Sequence, residues 1–157
     1  MPTLKFTTVI HAPQQRVFDL ARCVSLHKRH FEGHGIHPVQ GKYSGLLDMR
    51  DHVTWKGKFG RKVRQLALEV TDLHAPGHFK MEYRKEIFDT FTHDVYLTGI
   101  DNGTILMDQV VFSLPEKGFS PFFNKRCAEK WISDLLQERN ALCKEYAEGN
   151  NWHAILP

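Results

Sequence analysis

Four ionisable side chains, Asp51, His93, Asp108 and Arg139, occupy positions whose same-face neighbours are apolar. Alternate residues of a strand share a face, so His93 lies with Phe91 and Val95, and Asp108 with Leu106, Val110 and Phe112. Asp51 joins such a face if Val53 and Trp55 do. A few polar groups set in an apolar wall are what a small-molecule site requires, since the wall supplies affinity and the polar groups fix orientation. If a bound molecule reacted there, His93 would be the candidate general acid or base. Arg139 would be the candidate stabiliser of an enolate or a carboxylate.

The turn Asn102-Gly103 sets an expected register for these groups. A two-residue type I′ loop pairs Asp101 with Thr104, which puts Leu97 opposite Asp108, Val95 opposite Val110 and His93 opposite Phe112. His93 and Asp108 are then four positions apart along the strands, roughly 13 Å, too far for direct contact. The plainer reading is structural: Asp108 pairs with Arg139, and His93 hydrogen-bonds a backbone group. The same arithmetic at Phe59-Gly60 pairs Trp55 with Arg64 and Val53 with Leu66.

Other chemistries find less support. His27, His30, His34 and His37 are close in sequence, but no cysteine is near and the spacing matches no metal motif, so a surface cluster without a metal is expected. No cofactor is implied: there is no phosphate-binding glycine loop, Gly-x-Ser-x-Gly elbow or His-Glu-x-x-His helix. Cys23, Cys127 and Cys143 lack redox spacing and read as reduced packing residues. A net charge of +3 without a run of basic residues gives no footprint for nucleic acid. The densest basic stretch, Lys56 to Arg64, reads as a solvated hairpin tip. No apolar run reaches membrane-spanning length and no signal-peptide layout appears, which predicts a cytoplasmic protein without membrane insertion.

These residues need elements to position them. The longest helical pattern runs from Ser120 to Glu148, with Ser120 and Pro121 as its start and Gly149 as a left-handed C-cap. Ala128, Trp131, Ile132, Leu135, Leu142, Cys143 and Tyr146 form its apolar stripe. Arg139 interrupts that stripe, so it snorkels to an edge, pairs with an internal carboxylate or faces a polar part of a cavity. Upstream, Leu4 to His11 reads as a strand, followed by short helices over Gln14–Arg22 and, capped by Ser25, over Leu26–Phe31. A weak edge strand, Ile36 to Lys42, carries Pro38. Five stronger strands follow: Met49–Phe59, Lys62–Leu73, Phe79–Lys85, Phe91–Ile100 and Thr104–Leu114.

The order is strand, two short helices, six strands, long helix. It predicts an α+β helix-grip fold: a curved antiparallel sheet of about seven strands wrapped around the C-terminal helix, leaving a cavity between them. With 157 residues, 41% of them hydrophobic, one domain over 1–157 is expected. Residues 150–157 form a tail whose Trp152, Ile155 and Leu156 fold back onto the domain or onto a second subunit.

Several motifs resemble one family. Ser44-Gly45, Val53-Thr54-Trp55, Phe59-Gly60, His93, Gly103-Thr104 and Asp108-x-Val-x-Phe-x-Leu-Pro115 are similar to those of the START-related helix-grip superfamily. This superfamily is also called SRPBCC, or the polyketide cyclase/dehydrase and lipid-transport group. The likeness is to a bacterial ligand-binding branch, some of whose members are labelled cell-division-inhibitor-like. Asp48-Met49-Arg50-Asp51 lacks a glycine common in that branch, and Val95 replaces a second histidine. The resemblance implies a pocket for a hydrophobic or amphipathic small molecule. Its expected lining is Trp55, Leu66, Leu68, Met81, Tyr83, Phe91, Val95, Val110 and Phe112 from the sheet, with Trp131 and Leu135 from the helix. His93, Asp108 and Arg139 would orient a polar end. A carrier or sensor is the leading expectation; a cyclase- or dehydratase-type enzyme using His93, and an interaction module using the outer surface, stay open. The oligomeric state is open too.

Overall fold

The computed structural model describes residues 2–59, 62–83, 87–115 and 124–157; of Phe59 only the backbone is described. Strand β1 (Thr3–Ile10) leads into helices α1 (Gln14–Ala21) and α2 (Val24–Glu32). Six strands follow: β2 (His37–Gly41), β3 (His52–Phe59), β4 (Lys62–His74), β5 (His78–Tyr83), β6 (Thr90–Ile100) and β7 (Gly103–Ser113). Helix α3 (Lys125–Glu148) and a single 3-10 turn over Asn151–Ala154 complete the order. The strands form one antiparallel sheet in the order β1-β7-β6-β5-β4-β3-β2, with α3 packed against it. This is the helix-grip arrangement expected from the element order.

Alternation decides which side of the sheet faces the helices. In β7, Thr104, Leu106, Asp108, Val110 and Phe112 are buried, and in β6 His93, Val95 and Leu97 are. Val53, Trp55, Leu66, Val70, Phe79 and Met81 continue that core across β3, β4 and β5. Burying such side chains fully is worth about 1.5–3 kcal/mol each before entropy is counted. This row therefore outweighs every polar contact on the outer face.

Both hairpin registers differ from expectation by two residues. At the β6–β7 turn Ile100 pairs with Gly103, so Val95 faces Asp108, His93 faces Val110 and Leu97 faces Leu106. Asp101 and Asn102 form the loop, and Asn102 takes the left-handed conformation at φ 62°. Gly103 is a strand residue instead: a Cβ there would lie 2.8 Å from the Ile10 carbonyl oxygen, where β1 crosses closely. Its lack of a side chain serves that approach and not the turn. At the other hairpin Phe59 pairs with Lys62, Trp55 with Leu66 and Val53 with Leu68; Gly60 and Arg61 lie outside the described residues. A slip of two leaves every side chain on its expected face and moves only its partners.

Element ends differ as well. α2 begins at Val24, whose N–H donates to the Gly45 carbonyl at 2.9 Å, so Ser25 sits inside the helix and does not cap it. Among the described residues α3 begins at Lys125, with the Asn124 side chain accepting from the Cys127 N–H at 2.9 Å; Ser120 and Pro121 lie outside them. Gly149 is extended at φ −98°, ψ −150°, not left-handed. β3 starts at His52, because Asp51 belongs to the preceding turn, where it accepts from the Asp48 N–H at 2.8 Å and pairs with Lys42 at 2.9 Å. That removes Asp51 from the concave face. Of the expected end of β5, Lys85 lies outside the described residues. The tail folds back on its own chain: Trp152 stacks under the Arg16 guanidinium, 4.1 Å from the ring centroid, and Ile155 and Leu156 pack on the core. Among the described residues no helix is long and apolar enough to cross a membrane.

Candidate functional site

A cavity of about 90 Å³ lies between the sheet, α2 and α3. Its sheet wall consists of Val53, Trp55, Leu66, Leu68, Met81, Phe91 and His93, with Leu47 from the loop before β3. α2 supplies His27, His30 and Phe31, and α3 supplies Trp131, Ile132, Leu135, Leu136 and Arg139. The spacing 27, 30, 31 on α2 and 131, 132, 135, 136, 139 on α3 is that of one helical face. Phe31 meets Trp55 edge-on at 4.7 Å between centroids, joining α2 to the sheet.

The polar end is a connected network. His93 Nε2 lies 2.7 Å from Asp108 Oδ1, and Arg139 Nη2 donates to the same oxygen. Asn140 Nδ2 donates to Asp108 Oδ2 at 2.7 Å, and Arg139 Nε donates to Asn140 Oδ1 at 2.8 Å. The slipped register makes this possible: His93 sits opposite Val110, two residues from Asp108 on the same face, a diagonal pair within side-chain reach. The expected 13 Å separation does not hold, and His93 bonds a carboxylate, not a backbone group. Of the three outcomes open to Arg139, pairing with an internal carboxylate is the one observed.

Burial alone would raise the Asp108 carboxyl. The Arg139 charge, with hydrogen bonds from His93 and Asn140, outweighs it and holds the group well below the usual carboxylate range. Asp108 is therefore an ionised acceptor, to which His93 Nε2 donates. Cys143, close by on α3, is pushed up to about 12 by burial and is no nucleophile at neutral pH.

On α2 the polar groups are not satisfied. Burial, then the Arg139 and His30 charges, lower His27 to about 3, so its ring is neutral. His27 Nε2 and His30 Nδ1 are buried without a hydrogen-bond partner among the described residues. Such groups cost about 1–3 kcal/mol each when nothing meets them.

Of the residues expected to line a pocket, Trp55, Leu66, Leu68, Met81, Phe91, His93, Trp131, Leu135 and Arg139 surround this cavity. Val95, Val110 and Phe112 are wholly buried in the core and do not reach it. Asp108 is screened by His93 and Arg139, and Tyr83 turns its hydroxyl to the Ile87 N–H while its ring meets Phe88 edge-on. The α2 contribution was missed. Its signal in the sequence is the recurrence of His27, His30 and Phe31 on one helical face.

No protein-family model matches the chain, and no curated protein matches its sequence. Solved structures do. TTHA0849 from Thermus thermophilus superposes with a TM-score of 0.68 at 16% identity, over 90% of this chain and 97% of that one. Ara h 8.0201 gives 0.64 at 14%, over 93% and 97%. Major latex-like protein 151 from Panax ginseng gives 0.60 at 9%, over 89% and 95%. At such identities the likeness establishes the fold alone, and that fold is the helix-grip arrangement.

Proposed function

We propose that this protein binds one small hydrophobic or amphipathic molecule between the sheet and α3, as a carrier or sensor. The observation that carries the reading is His27: a neutral imidazole in the wall of an apolar cavity, with a buried nitrogen that no described group meets. Because the other ring nitrogen bonds the Ala21 backbone, Nε2 of the neutral ring is an acceptor, and a ligand hydroxyl or amide N–H would satisfy it while the apolar walls take the remainder. At about 90 Å³ the cavity is below the roughly 300–1,000 Å³ of drug-sized pockets. The bound molecule is therefore small, or the half-buried Phe31, Leu68, Phe91, Trp131 and Leu136 move outward to admit a larger one.

A second reading rests on the 2.7 Å contact between His93 and Asp108. A carboxylate that orients an imidazole is an arrangement for general acid–base catalysis, so a cyclase- or dehydratase-type reaction at His93 is the alternative. The small volume favours a third, a partner docking on the outer surface. Native mass spectrometry of purified protein, followed by organic extraction, tests the first reading. A discrete retained apolar molecule that Leu68→Trp abolishes in a folded variant supports it. Retention unchanged by Leu68→Trp removes the cavity as the site, and turnover that falls on His93→Ala while binding persists selects the enzyme.

A further inference from the structure

His30 stands in the last turn of α2 and His34 in the turn that follows it, both beside α3. Their Nε2 atoms lie 3.2 Å and 2.6 Å from one oxygen, Oε2 of Glu138, and the three donor atoms all fall within 4.8 Å of one another. We propose that His30, His34 and Glu138 bind one divalent first-row transition ion, of the zinc class, at the edge of the apolar cavity.

One imidazole from the end of α2, one from the turn after it and a carboxylate from α3 form a three-ligand set that leaves a coordination position open, as in reactive and not purely structural zinc sites. With bonds of about 2.0–2.1 Å, donors around a tetrahedral ion sit about 3.3 Å apart. The His30 to Glu138 distance already matches. The His34 to Glu138 contact must widen by about 0.7 Å on the same geometry. Both side chains can do this, since His34 is 39% exposed and Glu138 49%. Protonation states suit an ion as well. The hydrogen bond from His34, then that from His30, keeps Glu138 below its usual value, and burial lowers His30, so at neutral pH the carboxylate is charged and His30 is neutral.

His30 also lines the cavity, so an ion on its Nε2 adjoins the apolar space. Binding there moves the ring proton to Nδ1, which has no acceptor among the described residues. Absence of that supporting bond typically weakens a site about 10–100-fold, so micromolar and not nanomolar affinity is expected.

The test is titration of chelator-treated protein with Zn²⁺ by calorimetry and with Co²⁺ by visible absorption. One ion per chain is expected, with Co²⁺ bands of a low-symmetry site. Glu138→Gln and His34→Ala, at exposed positions that do not endanger folding, should each weaken binding about tenfold or more. His74→Ala, on β4 beside Asp72, should leave it unchanged. Absence of stoichiometric uptake at about 100 µM ion, an estimate well above the micromolar affinity expected, overturns the site. So does wild-type affinity in both Glu138→Gln and His34→Ala.

Discussion

Two parts of one cavity wall treat their polar groups in opposite ways. Around Asp108, four side chains close on one another and the charge of Arg139 is matched. Along α2, His27 and His30 are also buried, yet each keeps a nitrogen without a partner among the described residues. Both cannot serve one purpose. A closed network fixes the position of α3 against β6 and β7, whereas an unsatisfied one is where an incoming group gains most, because its desolvation cost has already been met.

The largest expected effect comes from breaking the closed side. Arg139→Met leaves Asp108 buried and uncompensated, which should cost about 3–5 kcal/mol in urea unfolding. Adding Asp108→Asn to that variant should recover a large share; no recovery would mean that the pair is not the brace described. Next is acid. His27 has a folded pKa of about 3 against 6.5 unfolded, so its contribution is fully present above pH 6.5 and is lost as pH falls towards 3. Its share is about 1.4 kcal/mol per pH unit, or about 2 kcal/mol between pH 6.5 and 5. Asp108 acts in the same direction but only below about pH 4, where its unfolded form protonates. Stability curves of wild type and His27→Phe between pH 7 and 5 should therefore diverge in slope; parallel curves would count against a buried neutral His27. The smallest effect is on stability at neutral pH. His27→Phe removes the unmatched Nε2 together with the ring's bond to the Ala21 backbone, two opposed effects, and should change stability by less than about 1 kcal/mol. A loss of several kcal/mol would show that Nε2 has a partner after all.

The sequence made faces legible and partners illegible. Strand period puts His93 and Asp108 on the concave side whichever turn is chosen, and a shift of two residues cannot change that. Whether they touch depended on Gly103, whose role beside the Ile10 carbonyl comes from β1, nearly a hundred residues away. Arg139 stood out as a charge in an apolar stripe, and its expected pairing with Asp108 is observed; what the expected register hid is that His93 joins the same carboxylate. Glu138 carried no signal on its own: it is an exposed helix residue until α2 is laid against it.

The sheet order has a consequence in time. Among the described residues β1 pairs only with β7, from Thr3 against Val111 to Ile10 against Thr104, and β2 lies at the opposite edge. During synthesis β1 therefore has no neighbour in the sheet until β7 has been made. Contacts of such long sequence separation are slow to form. Until then the alternating Leu4, Phe6, Thr8 and Ile10 remain without their pairing partners, and β7 offers an open edge to any other extended segment that reaches it first.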